Sequence, residues 1–176
     1  MLTKNFKALM KVVGLSAGNA KGVIPITKYN NTTVYLVNYF SGSSDPYPAS
    51  YDYSLRLSSS IGKGINLGSG NTPATENDYT LENRISSGLT GTVIQSTEYT
   101  ENDARIIIRL TLTNTSSESI TVNEIGNFQH MLASSTPGGT GASNEICMID
   151  RTVLSEPCVI PAGEIRIIEY SIISEF

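Results

Sequence analysis

Apolar positions recur every second residue over most of this chain, and residues 103–114 show the pattern most clearly. Ala104, Ile106, Ile108, Leu110 and Leu112 fall on one face of an extended strand, and Arg105, Ile107, Arg109, Thr111 and Thr113 on the other. This is the pattern of a half-buried strand. After the turn cluster Asn114-Thr115-Ser116-Ser117-Glu118 the alternation resumes in residues 120–125, so the two strands are expected to be neighbours. Residues 33–40 are apolar on both faces and rich in aromatic and β-branched side chains. A loop with Pro46, Pro48, Tyr47, Tyr51 and Tyr53 follows, ahead of a short strand around 55–57. Residues 134–143 read as an exposed loop, and 146–154, 159–160 and 165–173 as the last strands, with turns at Pro157 and at Pro161-Ala162-Gly163. Turn signals every 8–12 residues or so predict an all-β fold, a β-sandwich or jelly-roll-like domain.

Only the start of the chain departs from this period. Leu2, Phe6, Leu9, Met10 and Val13 share one face at helical spacing, Lys4, Lys7 and Lys11 lie on another, and Gly14 can end the helix. A helix of about twelve residues is marginal alone, so it needs a surface to lie against. The expected organisation is a basic helical arm, residues 1–22, followed by a β-domain, residues 23–176. Lys4, Phe6, Lys7, Leu9, Met10 and Lys11 of the arm are candidate interface residues. Tyr47, Tyr51 and Tyr53 join them, because tyrosine offers rigid contact area with a polar tip.

Charge sharpens that division. Residues 1–44 carry five lysines and no acid, while the rest carries seven bases and sixteen acids, and the whole chain of 176 residues has a net charge of -4. A basic arm before an acidic body points to docking between copies or onto an acidic neighbour. Five lysines without arginine make a poor nucleic-acid surface. Lys11 interrupts the one candidate run for a secretory signal, and no stretch approaches the ~20 apolar residues of a membrane helix. The expectation is a soluble protein made without export.

Charged residues are only 16% of the chain, while Ser, Thr and Asn number 22, 18 and 14, the composition of turns and wet strand faces. With one histidine, two cysteines and no tryptophan, little catalytic chemistry is on offer. His130 has no evident orienting carboxylate or nucleophile. Glu76, Asp78 and Glu82 supply oxygens of the kind calcium takes, without the spacing of a calcium loop, and read as loop-capping carboxylates. Gly68-Ser69-Gly70 lacks the following helix of a phosphate cradle and reads as a turn. Cys147 and Cys158 read as free thiols in apolar strands. No cofactor and no metal are expected.

Several stretches, taken in order, resemble small structural proteins of tailed bacteriophages: residues 1–6 (MLTKNF), 67–82 (LGSGNTPATENDYTLE), 110–115 (LTLTNT), 123–128 (NEIGNF), 150–154 (DRTVL) and 157–164, with Ile160-Pro161-Ala162-Gly163-Glu164. The resemblance implies a non-enzymatic virion protein, assembled in the host bacterial cytoplasm. Its partners would be other virion proteins, the major capsid protein or tail proteins, and neither nucleic acid nor membrane. A capsid decoration or cement protein, trimeric by preference, is the first expectation. The alternative is a tail, collar or baseplate component, with Tyr47, Tyr51 and Tyr53 stacking on a host glycan.

Overall fold

The computed structural model describes residues 1–5, 24–36, 57–58, 64–99, 103–137 and 143–175. Their strands are β1 (Ile24–Thr27), β2 (Thr33–Leu36), β3 (Gly64–Gly68), β4 (Leu89–Tyr99), β5 (Asp103–Asn114), β6 (Ile120–Ser134), β7 (Ser143–Ile160) and β8 (Ile165–Glu175). One sheet runs β1-β2-β6-β3 with β7 on the other side of β6; the second runs β4-β5-β8. All these pairings are antiparallel. The expected all-β sandwich is what the chain forms.

Strand β5 occupies the centre of the second sheet, and its even-numbered face makes the core. Ile108, Leu110 and Leu112 are wholly buried among Ile65 and Leu67 of β3, Val122 and Ile125 of β6, Ile160 of β7, and Ile168 and Tyr170 of β8. Val122 and Ile125 both reach that core because the β6–β7 register shifts between Val122 and Glu124. Such an irregularity changes which residues point inward. Glu124 is thereby turned to the far side of the first sheet, with Gly126 and Phe128. A second cluster, Ile26, Val34, Met131, Ala133 and Cys147, fills the curl where the β1–β2 hairpin folds over β6 and β7. Asn31 turns that hairpin with a φ of 64°, a left-handed conformation that Asn tolerates better than most residues.

Several expectations are corrected. The N-terminal helix is not supported: Leu2 bridges Asp150 in antiparallel fashion, the Thr3 N–H donates to the Ile149 carbonyl at 3.0 Å and the Arg151 N–H to the Met1 carbonyl at 3.1 Å. The chain therefore starts extended along β7, and of the described residues only Lys4 and Asn5 turn helical. The buried Thr3 and Asn5 explain why: Asn5 donates to the carbonyls of Thr27 and Met148 and accepts from the Thr27 N–H, clasping β1 to β7. Strands β5 and β6 are not neighbours but belong to different sheets. The buried Asn114 side chain makes the crossing, donating to the carbonyls of Glu118 and Ile160 and accepting from the Ser116 N–H. Nor does Pro157 end a strand. It lies in β7, in a stretch between Val153 and Cys158 that pairs with nothing on β6, where its missing N–H costs no ladder bond.

The two faces of β5 differ enough to compare within one strand. Ile108→Ala is expected to cost about 2–5 kcal/mol through lost burial and a residual cavity. Ile107, half-buried on the outer face, is expected to tolerate Thr at about 1 kcal/mol or less. Urea unfolding of the two variants side by side checks this, and equal losses would mean that both faces are buried.

Candidate functional site

Residues 69–88 join β3 to β4 and lie across the outer face of the first sheet, and buried charge holds them there. Glu124 is wholly buried. Its Oε1 accepts from the N–H groups of Gly70 at 3.1 Å and Asn83 at 2.8 Å, and its Oε2 from the Glu82 N–H at 3.2 Å. Arg151 on β7 completes the shell, with Nε and Nη2 each 2.8 Å from Oε2. The same guanidinium reaches out to the loop, placing Nη1 2.8 Å from Asp78 Oδ2 and Nη2 3.7 Å from Glu82 Oε2. Glycine is required beneath this carboxylate: a side chain on Gly68 would collide with Glu124 Oε1 and with the Asn83 carbonyl oxygen. Leu81 then seals the cluster by packing with Phe128 and Met148, over the space that Gly126 leaves open.

The loop acids are thus engaged as capping groups. Asp78 accepts from the Thr75 N–H at 2.9 Å and the Thr75 hydroxyl at 2.8 Å. Burial pushes its carboxyl up, but the bonds from Thr75 and Arg151 outweigh this and leave it below its ordinary value. Glu82 is also lowered, chiefly by the Thr72 N–H. On the core side of β7, burial raises the Asp150 carboxyl against the opposing pull of the Met1 ammonium, 3.1 Å away. Among the described residues no group of three or more His, Cys, Asp or Glu is placed to hold a metal ion. His130 is half-buried on β6, opposite Ile146. Both cysteines are free thiols, and burial pushes Cys147 up to about 12.

Of the candidate interface residues, Lys4 alone lies among those described. Its N–H donates to the Glu76 carbonyl at 2.8 Å, and its exposed ammonium is 4.0 Å from the Glu76 carboxylate. Phe6, Lys7, Leu9, Met10, Lys11, Tyr47, Tyr51 and Tyr53 lie outside the described residues. A surface that periodicity did not single out is the outer face of the second sheet, where Ile94, Ile165, Ile167 and Ile173 are exposed. Its signal was the run Ile165-Arg166-Ile167-Ile168-Glu169-Tyr170-Ser171-Ile172-Ile173, which is apolar on both faces. The Glu124–Arg151 pair had a signal too, a lone charge inside each of two apolar strands, since such charges require partners.

No protein-family model, curated protein or solved structure matches this chain. Several stretches far apart in the chain meet in space. Residues 67–82, 123–128 and 150–154 contribute Gly70, Asp78, Glu82, Glu124 and Arg151 to one cluster, and residues 1–5 border it, the Arg151 N–H donating to the Met1 carbonyl and the Lys4 N–H to the Glu76 carbonyl. Residues 110–115 and 157–164 meet at Asn114, whose N–H donates to the Glu164 carbonyl and whose carbonyl accepts from the Gly163 N–H, both at 3.0 Å.

Two outcomes follow from the cluster. Arg151→Met leaves a buried carboxylate without its cation and is expected to cost about 3–5 kcal/mol, while the double variant with Glu124→Gln costs less than the sum of the two single losses. Denaturant unfolding of the four proteins measures this, and losses that simply add would show that the two side chains are not coupled. The second outcome is pH dependence. Because the Asp78 carboxyl is lowered in the folded protein from its ordinary 3.8, its contribution is full above that value and disappears as pH falls through the lowered one. Asp78→Asn should therefore be less stable than the parent at pH 7 and approach it in strong acid. A gap that stays constant down to about pH 2, below the ordinary carboxylate range, would contradict this.

Proposed function

We propose that this chain is a non-enzymatic structural protein of a bacteriophage virion, a capsid decoration or cement protein that binds the head surface as an oligomer, in the first instance a trimer. The observation that carries the reading is the convergence just described. Stretches separated by tens of residues, each resembling phage structural proteins, assemble into two contact points rather than lying scattered over the molecule. The chemistry agrees in kind: the buried ionisable groups of the Arg151 cluster bind one another and the backbone. The Ser-, Thr- and Asn-rich surface suits repeated, hydrated contacts in which few charges are desolvated. On this reading the partners are the major capsid protein and other copies, with no direct contact to nucleic acid or membrane, and the protein assembles in the host cytoplasm into the virion.

Quantitative mass spectrometry of purified particles, with antibody labelling of intact ones, tests the proposal. Hundreds of copies spread over the head are expected. A small multiple of three or six at one vertex or along the tail would favour a tail, collar or baseplate role instead, and absence from particles would overturn both.

A further inference from the structure

Two carboxylates are buried on the β6–β7 pair, and they are neutralised in different ways. Glu124 has three backbone N–H groups and the Arg151 guanidinium. Asp150, only 2% exposed, lies on the opposite side of β7 and has far fewer partners. Its Oδ2 accepts one long bond from the Thr152 hydroxyl at 3.3 Å. Its one cation among the described residues is the α-ammonium of Met1, whose nitrogen is 3.1 Å from Oδ1. Tyr170 on β8 is close enough to feel the Asp150 charge, but its buried hydroxyl bonds to nothing among the described residues. Even with the ammonium in place, burial holds the Asp150 carboxyl above its ordinary value, so its neutralisation rests on that single contact.

The cation belongs to the backbone, which makes it conditional. The Met1 nitrogen directs one N–H to Asp150 and another to the Arg151 carbonyl at 2.5 Å. An acylated nitrogen, whether it carries a formyl group, an acetyl group or a preceding residue, has one N–H and no charge. It can keep the bond to Arg151, but Asp150 is then buried without a cation, the costly state for an interior charge. We propose that residue 1 must bear a free α-amino group for residues 1–5 to dock, and that the amide hydrolysis exposing this group is a maturation step of the protein. Water adds across the C–N bond. Its oxygen leaves with the acyl group as a carboxylate, both its hydrogens go to nitrogen, and the new ammonium balances the carboxylate's charge; by class the catalyst is a deformylase or a peptidase. The effect reaches beyond Met1. Leu2 and Thr3 pair with β7 behind the ammonium, the Lys4 N–H holds the Glu76 carbonyl of the loop, and Asn5 holds Thr27 of β1. One short segment thus ties together β7, the β1–β2 hairpin and the loop over the first sheet, and the ammonium anchors its outer end.

The test uses the full chain with its α-amino group free or acetylated, each with Asp150 kept or replaced in Asp150→Asn. Hydrogen exchange at the Thr3 and Arg151 amides, which bond to the Ile149 and Met1 carbonyls, reports docking at neutral pH. In the parent, acetylation is expected to speed exchange at least about tenfold, equivalent to about 1.4 kcal/mol of opening free energy. In Asp150→Asn, which has no charge to strand, acetylation is expected to change exchange little. Equal exchange with and without the acetyl group in the parent overturns the proposal. So does equal acceleration in both backgrounds, which would trace the effect to the bulk of the acetyl group. If Asp150→Asn does not fold, carbon NMR of the Asp150 carboxyl supplies the comparison: acetylation has to raise its titration midpoint, and an unmoved midpoint overturns the proposal. Intact mass and amino-terminal sequencing of the protein from its natural source test the maturation step. A free amine on Met1 is expected there, and a blocked or extended residue 1 refutes the step. None of these readouts depends on the virion role.

Discussion

A carboxylate taken out of water must receive all its hydrogen bonds from the protein, and Glu124 receives them from three backbone N–H groups and Arg151. Leaving either charge alone in the interior would cost several kcal/mol, so the two side chains must find each other and must bring the backbone of Gly70, Glu82 and Asn83 with them. The route of the chain from the first sheet to the second follows from that requirement. The loop is threaded over the sheet by its own N–H groups, Asp78 and Glu82 attach it a second time through the far side of the guanidinium, and Leu81 closes the top. The Gly68-Ser69-Gly70 turn supplies one of the three N–H groups through Gly70, and the anion they hold is the protein's own.

How much of this was legible depended on whether a strand had one dry face and one wet one. Strand β5 does, and its inward and outward residues could be assigned from alternation alone. Strand β4 is exposed along most of both faces, so its Thr, Ser, Gln and Glu residues offered no alternation to read. The short β1 and the glycine-bounded β3 were equally silent. Strand β6 was readable as far as Ile125 but continues to Ser134, because the register shift at Asn123 moves its apolar residues from one parity to the other. The first residues differ for another reason: Leu2 belongs to a helically spaced set, but the buried hydrogen bonds of Thr3 and Asn5 bind residues 1–5 to β1 and β7, and tertiary pairing overrides local periodicity at Leu2, while Phe6, Leu9 and Met10 lie outside the described residues.

The site was legible in its parts and hidden in its geometry. Asp78 and Glu82 could be identified as capping groups from their loop composition, yet their shared cation lies about seventy residues further along the chain, beyond any local pattern. Asn114 likewise looked like one turn residue among several. Its buried amide spans two strands that sequence order places 46 residues apart, and nothing local distinguishes it from Asn102 or Asn144.

The partners of β7 also bear on the order in which the molecule can be built. Residues 1–3 and Asn5, which also holds Thr27, are bonded at one end of the chain to residues 148–151 near the other, and β3 lies against a β6 that is synthesised about sixty residues later. Contacts this distant in sequence make for slow folding, because much chain entropy is lost before they form. During translation β1 and β2 can close on each other as a hairpin, but that hairpin and β3 emerge long before β6 and β7 exist to receive them. The first sheet, and the loop that Arg151 fastens to it, can assemble only once most of the chain has left the ribosome. The nascent chain therefore carries an unpaired β3 and the open edge of the β1–β2 hairpin for most of its synthesis, a period in which strand edges are exposed to aggregation and to chaperones.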